Sequence, residues 1–204
     1  MNETLRKPDC FFFGTRKLPC PYLDNHIERK VVTDLSGPNS ADLYVRLSRA
    51  GFRRSHGLAY RPACPNCSSC VPVRIAVVRF EDTRSFRRIR RANVDLFSKN
   101  ISAIATAEQY QLFSRYQHRR HNGGDMSSMS YEDYRVLIED TPVETRLIEF
   151  RNDENKLIAV MLADQMLDSL SAVYSFFDPD SSDRSSGTHM ILWLVEYARE
   201  LELE

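Results

Sequence analysis

The clearest pattern of apolar and polar positions lies in the second half of the chain. Residues 144–151 (E-T-R-L-I-E-F-R) and 170–177 (L-S-A-V-Y-S-F-F) are short runs rich in β-branched and aromatic residues. Between them, residues 156–166 (K-L-I-A-V-M-L-A-D-Q-M) are almost continuously apolar. Runs of this length, bounded by turn residues, read as strands. Asn152-Asp153-Glu154-Asn155 and Asp168-Ser169 supply the turns. After a polar loop at 178–186, Ile191, Leu194, Val195, Ala198 and Leu201 recur at helical spacing and predict a last helix from about Gly187-Thr188. Further helices are expected at 84–92, from about Ala105 to Arg120, and over Tyr131–Glu139 with Ser130 as its cap. Gly123-Gly124 closes the second of these.

Upstream the pattern is weaker. Residues 1–37 read as irregular, punctuated by Pro8, Pro19, Pro21 and Gly37-Pro38. Ser40 is expected to cap a helix over 41–50, with Leu43, Leu47 and Ala50 on one face and Gly51 as its stop. Val71, Val73, Ile75 and Val77 alternate and predict a strand over 71–80, which Pro72 confines to an edge or a strand start. The fold class is α+β, with no internal repeat.

Composition narrows the class. The chain has 204 residues, 42% hydrophobic and 27% charged, which suits a folded chain of one large or two small domains. No apolar run approaches the roughly 18 residues of a membrane span, and residues 1–6 show no apolar leader core. A cytoplasmic protein with no membrane partner is expected. Five cysteines, an odd number, favour free thiols or metal ligands over disulfides. The formal net charge is zero, but residues 1–100 hold 19 Lys and Arg against 9 Asp and Glu, and residues 101–204 hold the reverse. That split predicts two regions with different partners: a basic domain over 1–95 and a second domain over 96–204. The basic part suits a polyanion, most simply nucleic acid; docking of the two halves by opposite charge is the plainer alternative.

Three groups of residues carry candidate chemistry. Cys64, Cys67 and Cys70 form C-x-x-C-x-x-C, a spacing that lets one loop point thiolates at a single ion. Cys20 is the natural fourth ligand, with Cys10 and His56 as alternatives; zinc and an iron–sulfur cluster both accept such a set. Residues 84–91 hold five arginines, among them Arg87, Arg88, Arg90 and Arg91, and Arg53-Arg54 follow Phe52. Such arginines suit phosphate, and the aromatic suits base stacking. Arg115, His118 and Arg119 share a helix face by i, i+3, i+4 spacing, where His118 could move a proton, or where the helix dipole alone favours cations.

The strand–turn–strand–loop–helix over 156–202 resembles the centre of a GCN5-related (GNAT) acyltransferase. There the loop before the helix, Arg/Gln-x-x-Gly-x-Gly/Ala, binds a pyrophosphate; here it reads Arg184-Ser185-Ser186-Gly187-Thr188-His189, with histidine at the last position. More of the chain joins a second resemblance. C-P-Y-L at 20–23, G-F-R-R-S at 51–55, Y-R-P-A-C-P-N-C-S-S-C-V-P-V-R at 60–74, R-R-I-R-R-A-N-V-D at 87–95 and Y-S-F-F-D-P-D at 174–180 resemble the arginyl-tRNA–protein transferase family, in particular its bacterial branch. The resemblance implies an N-terminal cysteine-bearing domain and a GNAT-like domain that here lacks its last strands. It implies transfer of leucine from Leu-tRNA to proteins with N-terminal Asp or Glu, within the N-degron degradation pathway. No cofactor is needed for the transfer, and an iron–sulfur cluster or zinc on the N-terminal cysteines is an added expectation. It puts Tyr174 and Asp178 at the transfer cleft. Arg53, Arg54, Tyr60 and Arg74 fall to the acceptor end or the acidic N-terminus, Arg87, Arg88, Arg90 and Arg91 to the tRNA backbone, and Arg184 and Gly187 to the former pyrophosphate loop. The rival readings are a CoA-dependent N-acetyltransferase and a non-enzymatic RNA-binding module with a metal knuckle. Oligomeric state is not assigned.

Overall fold

In the computed structural model, which describes residues 10–203, the chain divides into two units between Val73 and Arg74. Met1 to Asp9, Pro8 among them, and Glu204 lie outside the described residues. The division falls earlier than the sequence boundary at 95/96, because the arginine-rich helix packs within the second unit.

The first unit is built from short strands: β1 (Phe13–Gly14), β2 (Leu18–Pro19), β3 (Ile27–Glu28), β4 (Lys30–Asp34), β5 (Arg53–Ser55) and β6 (Leu58–Pro62). Its four-stranded antiparallel sheet runs β1-β4-β6-β5, and β2 and β3 pair separately. Residues 13–34, read as irregular from sequence, thus hold four strands. They gave no periodic signal because three of them are two residues long. Helix α1 (Ser40–Arg49) buries Leu43, Tyr44 and Leu47, while Ala50 is exposed. It stops at Gly51, whose φ of 82° is left-handed. A Cβ there would also meet Pro72 at 2.8 Å. The strand expected over 71–80 does not form. Val71, Val73 and Val78 are exposed, and only a 3-10 turn over Val77–Arg79 is present. The alternating residues make no strand pairing, so the pattern did not produce a strand.

The second unit follows the predicted elements closely. Its helices are α2 (Arg84–Ala92), α3 (Ala107–Arg120), α4 (Tyr131–Glu139) and α5 (Ser186–Glu200). Its strands are β7 (Phe97–Ser102), β8 (Thr145–Arg151), β9 (Leu157–Gln165) and β10 (Leu170–Phe177). The antiparallel sheet runs β10-β9-β8-β7. Strand β9 is apolar at nearly every position because both its faces are covered. Leu157, Val160 and Leu162 pack with Phe113, Tyr134 and Ile138 of α3 and α4. Ala159, Met161 and Ala163 pack with Met190 and Leu194 of α5 on the other face. A one-residue slip would exchange these faces, so the register is strongly fixed. Met161 is fully buried, and truncating it to alanine would cost about 2–5 kcal/mol.

Capping fixes the helix starts. Thr106 and Gln109 form a reciprocal capping box on α3, and Ser130 and Asp133 do the same on α4. Thr83 caps α2 by accepting from the Phe86 N–H. Between α3 and the sheet lies a buried polar network. Arg151 donates to Glu149 at 2.9 Å and to Glu108 at 2.7 Å, and Gln109 donates to Glu149 at 2.8 Å. No helix among the described residues is long and apolar enough to cross a membrane.

Candidate active site

A cluster of polar side chains gathers where β10 ends, beside the start of β9 and the middle of α3. Asp178 follows β10, with 5% of its side chain exposed. Its Oδ1 accepts from the Asp180 N–H at 3.2 Å, and its Oδ2 from Lys156 Nζ at 3.0 Å. Arg115 Nη2 lies 3.9 Å from the same Oδ2. Burial pushes the Asp178 carboxyl up, but Lys156, the Asp180 N–H and Arg115 together outweigh it and hold the group below the ordinary carboxylate range. The group is therefore an ionised anchor for cations.

Tyr174 stands four residues earlier, just past a bulge between Ala172 and Tyr174 that re-aims the strand. Its hydroxyl oxygen accepts from Gln117 Nε2 at 2.5 Å. Burial raises its pKa, against a lowering by the Gln117 hydrogen bond, so the phenol stays protonated and can donate. Phe177 packs edge-on against Tyr116, and the Arg120 guanidinium sits 5.6 Å over the Phe177 ring.

Of the expected residues, Asp178 and Arg115 meet at ion-pair distance, while Tyr174, earlier on β10, is held by Gln117 of α3. His118 is turned to the Ser114 carbonyl at 2.8 Å, and Arg119 is exposed. On α2, Arg87, Arg88 and Arg91 are exposed, whereas Arg90 is committed to Asp82 at 2.7 Å and Glu196 at 2.8 Å. Arg184, expected in a ligand loop, instead forms a two-pronged pair with Asp95 at 2.7 and 2.9 Å. Asn93 fastens the same loop by donating to the carbonyls of Ile89 and Arg184. Ser185 then opens α5 in the left-handed region, at φ 52°, without a side-chain cap, and Gly187 lies in the first turn.

In the first unit, Arg53 is exposed, but Arg54 is buried and donates to the His56 carbonyl. Tyr60 is half-buried under Lys30. Arg74, the first residue of the second unit, is exposed. The expected metal ligands are not assembled. Among the described residues no three His, Cys, Asp or Glu side chains gather as a metal site. Cys64 Sγ faces the Arg29 backbone, Cys67 donates weakly to Ser69 Oγ, Cys70 is exposed, and Cys20 stands apart as a free thiol. His56 occupies the tight turn between β5 and β6. Cys20, Cys64, Cys67 and Cys70 in this arrangement do not fit a zinc or iron–sulfur site.

Sequence reasoning missed Lys156, Gln117 and Arg120. Lys156 had a readable signal. Folding the chain about Asp168-Ser169 pairs Ala159 with Phe177, which brings the start of β9 to Asp178.

Comparison with known families decides the relationship. A family model described as arginine-tRNA-protein transferase, N terminus, matches residues 18–88, and one described as the C terminus of the same enzyme matches residues 108–204. A protein of Paramagnetospirillum magneticum is 54% identical over 98% of this chain and 81% of its own length. Relatives from Gluconacetobacter diazotrophicus and Granulibacter bethesdensis are 50% and 52% identical, over 97% and 96% of this chain and 76% and 73% of their own lengths. All three are called aspartate/glutamate leucyltransferase. The chain belongs to the arginine-tRNA-protein transferase family. As a member of this family it carries Lys156, Tyr174, Asp178 and Arg115 within the segment matched by the C-terminal model. Its cysteine loop and most of α2 fall within the segment matched by the N-terminal one.

Proposed function

We propose that the chain transfers leucine from Leu-tRNA to the α-amine of proteins that begin with Asp or Glu, marking them for N-degron degradation. The observation that carries this reading is the similarity, over nearly the whole chain, to relatives named aspartate/glutamate leucyltransferase. The geometry supports it. The order β7-α3-α4-β8-β9-β10-α5 is compatible with the GNAT-like core that the sequence resemblance implies, with α5 following β10 through the loop that carries Arg184. Exposed Arg87, Arg88 and Arg91 on α2 suit tRNA phosphates.

The chemistry needs little acid–base help. The donor is already an activated ester. The amine nitrogen attacks the ester carbonyl carbon, a C–N bond forms, and the C–O bond to the terminal ribose breaks. The amine proton leaves with the departing ribose oxygen, so products are an amide and a free tRNA hydroxyl. An α-amine has a pKa of about 7.7–8.0, so a useful fraction is free base near neutrality. The protein's tasks are alignment and stabilisation of the developing oxyanion. Tyr174, protonated and held by Gln117, is the donor placed for the second task. Asp178, ionised and occupied by cations, serves as an anchor for the first.

Transfer of labelled leucine from Leu-tRNA to peptides differing only in their first residue tests this, with the Paramagnetospirillum relative as assay control. Labelling of Asp- and Glu-started peptides but not of an Ala-started one is expected. Equal labelling of all, or none where the control is active, would remove the reading.

A further inference from the structure

Transfer to Asp- and Glu-started proteins requires a group that receives the acidic first side chain. We propose that Lys156 and Arg115, held together on Asp178, form the subsite that receives that carboxylate. This rests on the leucyltransferase reading above.

The geometry is of an unusual sort for a plain surface ion pair. The carboxylate is inside and the cations are outside: Asp178 is 5% exposed, against 55% for Lys156 and 57% for Arg115. Both cations converge on one oxygen, Oδ2, at 3.0 and 3.9 Å. One buried carboxylate thus faces two cations. Donors are left over. An ammonium carries three N–H groups and a guanidinium five. Among the described residues, Lys156 Nζ is recorded on Asp178 alone, and Arg115 reaches Asp178 only at ion-pair distance. One further carboxylate would accept those donors.

The cluster is held from behind. The Lys156 N–H donates to Asn152 Oδ1 at 2.9 Å and its carbonyl accepts from the Asn152 N–H at 3.1 Å, across a turn with Asn155 at φ 60°. The Asp178 N–H donates to the Ile158 carbonyl at 2.8 Å. Arg115 rises from a capped helix. Tyr116 and Phe177, the chain neighbours of Arg115 and Asp178, pack edge-on against each other and tie α3 to the end of β10. Phosphate suits a different surface. Among the described residues, Arg87, Arg88 and Arg91 of α2 have no ion-pair partner recorded, and they lie along one short helix. A carboxylate offers Lys156 and Arg115 two charged acceptor oxygens where an amide offers one neutral one. The subsite therefore favours Asp and Glu over Asn and Gln, which match them in shape but lack the charge.

Asp178 is a positioning residue on this view, and Lys156 and Arg115 determine specificity. The test measures kcat and KM for peptides starting with Asp and with Asn, at saturating Leu-tRNA, in wild type, Lys156→Met, Arg115→Met and Lys156→Arg. Lys156→Met should lower kcat/KM on the Asp peptide by about 10- to 100-fold. The loss should sit in KM, the Asp-over-Asn preference should collapse toward one, and Lys156→Arg should restore most of it. Arg115→Met should act in the same direction and decides the matter if Lys156→Met melts. A loss shared equally by both peptides, a loss in kcat alone, or a rise in the KM for Leu-tRNA instead would overturn the inference while leaving leucine transfer intact. A wild type that transfers to neither peptide would remove the function itself, which is a separate outcome.

Discussion

The unit ending at Val73 and the unit beginning at Arg74 use their apolar residues differently. In the second, β8 and β9 are buried along almost their whole length between two helical layers. In the first, Phe11, Phe12 and Phe13 are all at least half exposed, and the buried apolar set is Leu35, Leu43, Tyr44, Leu47 and Ala59. Phe12 packs on Phe52, and the Arg61 guanidinium lies over the same ring. Surface aromatics beside cations are poor core material but good binding surface. The second unit is set by a core that fixes register, and the first by short local pairings that leave rings and charges outside. A stability probe should see mainly the second unit, and a ligand probe should find much to contact in the first.

The sharpest way to break that contrast is to damage the polar centre of the second unit. Glu149 is 5% exposed and Arg151 8%, and each partly satisfies the other. Arg151→Met would leave Glu149 charged and buried, and should cost about 3–5 kcal/mol in urea unfolding. A loss below about 1 kcal/mol would mean that the buried network does not hold this unit.

A pH test is the next largest. His189 on α5 packs edge-on against Phe150, and its Nδ1 is buried without a partner. Burial, then Arg90 and Arg184, push its pKa down to about 4, against a smaller opposing pull from Asp95. The folded value lies below the unfolded one, so the unfolded chain binds the extra proton between about pH 6.5 and 4. Stability from this group is complete above that window and is lost as pH falls through it. Between pH 7 and 5 the loss should be about 1–2 kcal/mol, after allowance for partial solvent screening. His189→Gln should flatten the dependence. An unchanged slope in that variant would place the acid sensitivity elsewhere.

A cap comes third. Thr106→Ala removes the acceptor that closes the α3 capping box and should cost about 1 kcal/mol. Hydrogen exchange should show the opening confined to the first turn of α3.

These contrasts also explain what the sequence revealed. The apolar run of β9 and the caps Ser130 and Thr83 act locally, so α2, α4 and the three long strands lie close to where periodicity puts them. Strand β7 escaped because its residues are mostly exposed and its pairing partner, β8, is distant in the chain. The alternation at Val71–Val77 misled because alternation alone, without a hydrogen-bonding partner strand, does not make a strand. At the site, Tyr174 and Asp178 were singled out by the family resemblance and Arg115 by its helical spacing. The difference between Arg90 and its neighbours was not, because Glu196, which fixes Arg90, lies 106 positions away. Lys156 looked like an ordinary strand-start lysine until the hairpin register brought it to Asp178.

The smallest expected effect tests the first unit. Cys64 makes only weak sulfur contacts to the Arg29 backbone, at 3.5 and 3.6 Å, and Ala63 beside it already donates to the Arg29 carbonyl at 2.7 Å. The backbone bond, not the thiol, therefore ties this loop to the strand region. Cys67 is half-buried, with its thiol pKa lowered by the Ser69 backbone and side chain, and Cys70 is exposed. Replacing Cys64, Cys67 and Cys70 together by serine should move the melting midpoint by no more than about 2 °C, the scale of ordinary surface changes. Elemental analysis of the anaerobically purified wild type should then find no stoichiometric zinc or iron. A large drop in the midpoint, accompanied by bound metal in wild type and none in the variant, would reverse the comparison. The first unit would then owe its order to a metal-centred core, because metal binding to such thiolates is itself folding free energy.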